Sequence, residues 1–219
     1  MHLIRAESPG PSVGKLVPKV RSTAKILYEI YSFLTIVLMI LLVISGCPVF
    51  DSINLAFATA GTGGFAVLNS SAADYNAATQ WILTIFMILF GVNFNVYFLL
   101  LTRKFSQALK SEEVRCYFFV IIASALMITF NVRHLFDNVW EALQQAFFQV
   151  GSIITTTGYA TTDFNQWPAV SRTILVLLTF CGACAGSTGG GIKISRLLLL
   201  AKSVRKELHL YLHPNAVKK

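Results

Sequence analysis

One arrangement occurs twice in this chain and constrains its fold more than any other feature. An apolar run of membrane length is followed by a short amphipathic segment, a tip rich in threonine and glycine, and a second apolar run. The first tip reads Ala60-Gly61-Thr62-Gly63-Gly64-Phe65-Ala66 and the second reads Thr155-Thr156-Thr157-Gly158-Tyr159-Ala160. In both, threonine stands shortly before glycine, an aromatic ring follows, and alanine comes next. Such a pair suits a cation filter built from backbone carbonyls, which makes transport the leading expectation.

Residues 26–44, 78–101, 114–132 and 170–200 are the long apolar runs. About 20 apolar residues cross the roughly 30 Å hydrocarbon core of a bilayer. At 55% hydrophobic residues and a mean hydropathy of +0.64, the chain of 219 residues is too apolar for an ordinary soluble domain. The first 25 residues are polar and basic and lack an apolar h-region, so no cleavable signal peptide is expected.

The net charge of +8 concentrates before the first run, between the second and third, and at the end; Arg133 and Arg172 stand apart. By the positive-inside rule these three regions lie in the cytoplasm, with both termini inside and four crossings. Loop asymmetry accounts for the basic charge, so no nucleic acid partner is expected. The expected architecture is an all-α integral membrane protein with two helix–pore loop–helix repeats. Its units are a basic cytoplasmic segment (1–25), a first repeat (26–103), a linker (104–113), a second repeat (114–206) and a cytoplasmic tail (207–219).

Each amphipathic segment opens with an acid, Asp51 in the first and Asp137 and Glu141 in the second, which suits the positive end of a helix dipole. Each is too short to span, so each reads as a half-helix that enters the membrane and returns. The alternative is a pair of amphipathic helices on the outer surface. A potassium ion must exchange water for carbonyl oxygens to be selected. Glycine permits the positive φ that such a carbonyl ladder requires. A half-helix ending before the tip turns its negative end toward a cation.

The last apolar run is interrupted by Gly182-Ala183-Cys184-Ala185-Gly186-Ser187-Thr188-Gly189-Gly190-Gly191-Ile192-Lys193. Three consecutive glycines weaken a helix by about 1 kcal/mol each relative to alanine. The run is therefore expected to break into half-helices at 170–181 and 194–206. The freed backbone must then find partners in a cavity or in neighbouring helices. The functional reading is an intramembrane loop under the filter that obstructs or clears the pore; the plain reading is close helix packing through small residues. Lys193 either faces the pore or snorkels to the interface. The glycine run lacks the Gly-Lys-Ser/Thr ending and the preceding strand of a phosphate-binding loop. Cys181 and Cys184 form a lone CxxC with no histidine nearby, so they read as packing residues. Asn93 and Asn95 suit hydrogen bonds between helices. No group of acids, metal ligands or activated nucleophile gathers in the spans, so no enzyme and no cofactor is expected.

These stretches, with Arg5-Ala6-Glu7-Ser8-Pro9-Gly10-Pro11 and Phe50-Asp51-Ser52-Ile53-Asn54, resemble the membrane subunit of the Trk/Ktr/HKT superfamily of cation transporters, most closely the Trk potassium-uptake type. The run from Cys184 to Gly191 carries the resemblance most specifically, and the likeness covers essentially the whole chain. The resemblance implies four such repeats around one pore, each giving one filter strand with a key glycine. By motif it assigns the filter to Thr62, Gly63, Gly64, Thr156, Thr157 and Gly158, with potassium held at Gly63, Gly64, Thr157 and Gly158. It assigns an intramembrane gate to Gly186, Ser187, Thr188, Gly189, Gly190, Gly191 and Lys193. It further implies a homodimer in the cell's inner membrane, potassium or ion-coupled symport, and a cytosolic nucleotide-binding regulatory subunit. The chain carries two repeats where the family has four, matching the second and third in order. The sequence reading therefore expects a fragment, or a pore completed by a second copy or by missing repeats. A non-conducting membrane assembly module and a mixed sodium/potassium transporter are the competing functions.

Overall fold

A computed structural model describes residues 20–212, so the Arg5–Pro11 stretch and most of the expected 1–25 segment lie outside the described residues. The described chain is almost wholly helical. Its helices are α1 (Val20–Ile44), α2 (Val49–Ala60), α3 (Ala77–Phe90), α4 (Phe94–Leu101), α5 (Phe105–Leu109), α6 (Glu112–Val132), α7 (Val139–Ile154), α8 (Ala169–Phe180) and α9 (Ile194–Leu212). Among the described residues the nearest thing to a sheet is one isolated parallel bridge between Cys181 and Ile192.

Helix α1 shows how sequence sets orientation. Ile30, Leu38 and Leu42 are buried along one face, while Phe33, Ile36, Ile40 and Ile44 are exposed. A helix apolar all round belongs in a core or a membrane, and the outward residues here are as apolar as the inward ones. Thr35 lies within this face and satisfies its hydroxyl on the Tyr31 carbonyl at 2.9 Å. Gly46, at φ +91°, ends the helix, and Pro48 begins α2.

Among the described residues two helices, Ala24–Ile44 and Glu112–Leu135, are long and apolar enough to cross a membrane, and the bent α3–α4 pair makes a third if it is one span. The sequence reading expects four. Two breaks account for this, the first unexpected and the second the one that the glycine run led us to expect. The run at 78–101, expected as one helix, is broken between Phe90 and Phe94 with a 91° bend. The run at 170–200 divides into the 12-residue α8 and the 19-residue α9, with residues 181–193 non-helical between them. Helix α9 continues to Leu212, past the expected end at residue 206.

Donors from distant parts of the chain line the bend between α3 and α4. Tyr117 Oη donates to the Ile88 carbonyl at 3.0 Å and Tyr97 Oη to Leu89 at 2.7 Å. Thr188 Oγ1 donates to Phe90 at 3.3 Å, and the Cys184 N–H to Gly91 at 3.0 Å. In hydrocarbon an unpaired carbonyl costs several kcal/mol, so the contacts to Phe90 and Gly91 offset the break, while Ile88 and Leu89 also accept the Gly91 and Val92 N–H groups. Asn93 restarts the helix: its Oδ1 accepts the Asn95 N–H at 2.9 Å. It is a cap and not the bond between helices expected from the sequence. A side chain at Gly91 would put its Cβ 2.1 Å from the Tyr117 hydroxyl.

Two apolar cores follow the two repeats. One gathers α1, α2 and α3 around Leu38, Leu42, Leu55, Leu83 and Met87; the other gathers α6, α7 and α8 around Ile121, Ala125, Ile128, Ala146 and Leu175. Each core borrows from the other half: Phe148 and Tyr159 enter the first, and Val92 enters the second. A polar seam joins them. Gln80 Oε1 accepts from Gln144 Nε2 at 2.9 Å, and Gln80 Nε2 lies 3.1–3.2 Å from the carbonyls of Ala72, Ala73 and Tyr75.

Candidate functional site

The two tips adopt the same backbone. Helix α2 ends with the Thr62 N–H bonded to the Thr59 carbonyl at 3.1 Å and the Gly63 N–H bonded to Ala58 at 2.7 Å. Helix α7 ends, 94 residues later, with Thr156 bonded to Ile153 at 3.0 Å and Thr157 bonded to Ser152 at 2.9 Å. Both are the paired bonds of a Schellman cap, whose left-handed residue is usually glycine. Here it is threonine both times, Thr62 at φ +50° and Thr156 at φ +59°. A second positive φ follows two residues on, at Gly64 (+66°) and Gly158 (+89°).

The tips touch each other. A Cβ built on Gly64 would lie 1.9 Å from the Thr157 carbonyl oxygen, so only glycine fits there. Gly158 has nothing within 4 Å of such a Cβ, and its residue is exposed while Thr157 is buried. Thr155 and Thr157 share a hydroxyl–hydroxyl bond of 2.8 Å, and Thr155 Oγ1 donates onward to the Gly151 carbonyl at 2.7 Å.

The aromatic after each glycine is treated differently. Tyr159 is buried and lies against the first repeat, its hydroxyl 3.3 Å from the Leu55 carbonyl and 3.4 Å from that of Phe65. Phe65, the matching residue of the first tip, is 80% exposed. Around it Phe50, Asn54, Phe57, Gly61, Gly63 and Val67 line an open cavity of about 550 Å³.

Residues 181–193 fold back beneath both tips. The Gly182 N–H bonds to the Ile192 carbonyl at 2.7 Å, and Cβ atoms at Gly182 and Gly189 would clash with the Gly190 carbonyl oxygen and with Ala183. Gly186 and Gly191 both sit at φ +71°. Ser187 Oγ donates to Cys184 O at 2.6 Å, and Lys193 Nζ donates to Gly189 O. Thr62 Oγ1 lies 3.1 Å from the Thr188 carbonyl, and the Gly190 N–H donates to Thr156 Oγ1 at 2.7 Å. Thr62 and Gly64 of the first tip, Thr156 and Thr157 of the second, and Thr188 to Gly191 of the loop therefore meet in one place, whereas Gly186 lies against Asn93 and Gly158 faces open space. All four cysteines are free, and among the described residues no group of histidine, cysteine and acid side chains gathers to hold a metal.

On the far side of the tips the loops are polar. Tyr75 Oη donates to Asp51 at 2.8 Å. Burial first, and that carboxylate second, hold the Tyr75 phenol well above its ordinary range, so it remains a donor. Asp163 caps the 3₁₀ turn Phe164–Gln166 by accepting the Asn165 N–H at 3.0 Å, and this bond chiefly lowers its pKa.

A family model described as a cation transport protein, TrkH, matches residues 1–219. This chain belongs to the TrkH family. Among its relatives it is 38% identical to the Trk system potassium uptake protein TrkH of Salmonella typhimurium and 37% identical to that of Escherichia coli, each over 99% of this chain and 46% of the relative. It is 32% identical to TrkG of Escherichia coli over 98% of its length. Its fold matches the crystal structure of the potassium transporter TrkH from Vibrio parahaemolyticus with a TM-score of 0.85 at 33% identity, over 94% of this chain and 45% of that one. The chain thus spans less than half the length of these TrkH-family relatives. Their names describe transport and no enzymatic reaction.

Two parts of this TrkH-family site escape sequence reasoning. The break at Gly91 brings the Phe90 and Gly91 carbonyls to the glycine-rich loop, and the Gly91-Val92-Asn93 interruption of an apolar run was its only sign. Glu113 is the other: its Oε1 accepts the Ala185 N–H at 2.6 Å, far from it in the chain.

Proposed function

We propose that this chain forms part of the wall of a potassium-uptake pore, with the two tips as filter strands and residues 181–193 as the gate beneath them. The observation that carries the reading is the repeated backbone: two tips with positive φ at matching positions, in contact, both resting on one glycine-rich loop. Alternating the sign of φ turns successive carbonyls toward one side, which is what replacing a hydration shell demands. Potassium is held by carbonyls at Gly63, Gly64, Thr157 and Gly158 in this reading. The exposed glycine-rich surface beneath, with Lys193 tethered to Gly189, narrows the exit.

Further filter strands are needed to ring an ion, and the exposure of Phe65 supports their arrival on that side. Tyr159 packs on a neighbouring pore helix, and Phe65 has the equivalent position without such a neighbour. We infer that other repeats, whether from the same polypeptide or from another copy, supply it. The basic segments suit a cytoplasmic location for both ends in the inner membrane, where a homodimer and a cytosolic nucleotide-binding regulator would assemble.

The test is potassium-limited growth of an uptake-deficient bacterium expressing the chain, against the Gly158→Asp variant. Rescue that disappears in the variant supports a pore assembled from copies of this chain. Absence of rescue in spite of membrane insertion means that further repeats are required, and co-expression with them should then restore growth. Growth that is indifferent to Gly158→Asp under both conditions overturns the filter assignment and favours a non-conducting assembly role.

A further inference from the structure

Both Schellman caps place threonine where glycine is the ordinary choice. A left-handed conformation is disfavoured for an L-residue, and a β-branched residue is among the least suited to it. The strain is repeated at both tips, at φ +50° and +59°, so it has a use that a bare backbone would not meet. The hydroxyls show the use. Thr156 Oγ1 accepts the Gly190 N–H at 2.7 Å, and Thr62 Oγ1 lies 3.1 Å from Thr188 O, sharing its proton with Gly61 O at 2.8 Å. The left-handed turn is what swings each hydroxyl off its own helix and down onto the loop.

The loop side is fitted to this contact. A Cβ on Gly190 would lie 2.9 Å from Thr156 Oγ1, and one on Gly189 would lie 3.1 Å from the Thr155 carbonyl oxygen. The loop's two contacts are opposite in sense: it donates an N–H to the second tip and offers a carbonyl to the first. Thr188 and Gly190, with only Gly189 between them, therefore bridge both tips at once.

We propose that Thr62 and Thr156 are a paired latch: their hydroxyls hold the glycine-rich loop against the two tips, so that loop release and tip geometry are coupled. Their hydroxyls thereby serve the loop, while the backbone of the same residues shapes the tip. The inference rests on the pore reading for its meaning, but its geometry and its test do not need ion passage. Loop opening must break both bonds, and a tip that shifts on losing or gaining an ion moves the two hydroxyls together.

The test is amide hydrogen exchange of the full chain in phospholipid nanodiscs, read by mass spectrometry for residues 182–193, with the α7 helix as internal control. Thr156→Val removes the acceptor at nearly constant shape. Thr156→Gly removes it and relieves the backbone strain. Thr156→Ser keeps it. The expected result is loop exchange about tenfold faster in the Val and Gly variants, the scale of one lost hydrogen bond, with Ser unchanged and α7 unchanged throughout. Thr62→Val forms an independent arm with the same expectation for the loop as a whole. A purely structural role predicts that Gly, which suits the left-handed position best, protects the loop as well as threonine does; that result overturns the latch. Unchanged exchange in the Val variants, or loosening by Ser as much as by Val, overturns it equally. Failure of the growth assay leaves these readouts intact, so the two ideas fail separately.

Discussion

Gly64 and Gly158 occupy matching positions but answer to different constraints. Gly64 abuts the Thr157 carbonyl, where a Cβ would approach to 1.9 Å; Gly158 faces open space. Gly64→Ala must therefore push the tips apart, whereas Gly158→Ala bears only the strain of its φ. Thermal unfolding of the purified chain should show Gly64→Ala destabilised by about 2–4 kcal/mol, strain plus overpacking. Gly158→Ala should lose about 1–2 kcal/mol. Equal losses would mean that the tips are not in contact. A second prediction at this scale concerns pH. The Asp163 carboxyl is lowered in the folded chain, so its stabilisation is complete above the ordinary Asp pKa of about 3.9 and fades as pH falls through the lower folded value. Asp163→Asn should flatten that acid limb in a pH-dependent unfolding series by lowering neutral-pH stability toward its acid value, a small change since the group is exposed.

At the scale of elements, the bend between α3 and α4 decides how the two halves meet. Gly91 supplies room for the Tyr117 hydroxyl, which in turn satisfies the Ile88 carbonyl. Gly91→Ala should lower stability by about 1–3 kcal/mol through overpacking. Tyr117→Phe removes the atom that clashes first, so the double variant should be less unstable than the sum of the two singles. A double-mutant cycle measures this directly, and strict additivity would show that Gly91 and Tyr117 do not meet. Helix α9 is held differently. Its Lys202 pairs with Glu112 at an exposed site, where solvent and salt screen the pair and leave it little weight.

At the scale of the molecule, the polar seam through Gln80 ties the two cores into one body. Its side chain lies within reach of three carbonyls of the loop before α3 and of Gln144 on α7. Gln80→Leu leaves several buried groups without partners at about 1–3 kcal/mol each. The expected outcome is an unfolding curve split into two transitions, one for each core. A single transition with little shift would mean that Phe148, Tyr159 and Val92, the apolar residues exchanged between the cores, suffice to join them.

Much of this protein could be read from composition and local pattern. Apolar runs of membrane length mark α1 and α6 because a helix of that length must satisfy its own backbone in lipid, whatever surrounds it. The glycine-rich interruption at 182–191 marks the end of α8 because helix propensity is a local quantity. The likeness of the two tips is visible because both use the same residue types in the same order. Other features depended on groups distant in the chain. A single glycine in an apolar run does not by itself bend a helix by 91°; Thr188 and Cys184 donate to the freed Phe90 and Gly91 carbonyls, and Tyr117 and Tyr97 add donors at Ile88 and Leu89. Likewise Thr62 and Thr156 look alike from either sequence or backbone, yet what their hydroxyls hold is decided by a loop that the chain reaches only at Thr188 and Gly190. Local sequence determined which segments are helical and where they stop. Tertiary structure decided where the helices bend and what the tips rest on, because those depend on hydrogen-bond partners that only the folded chain brings within reach.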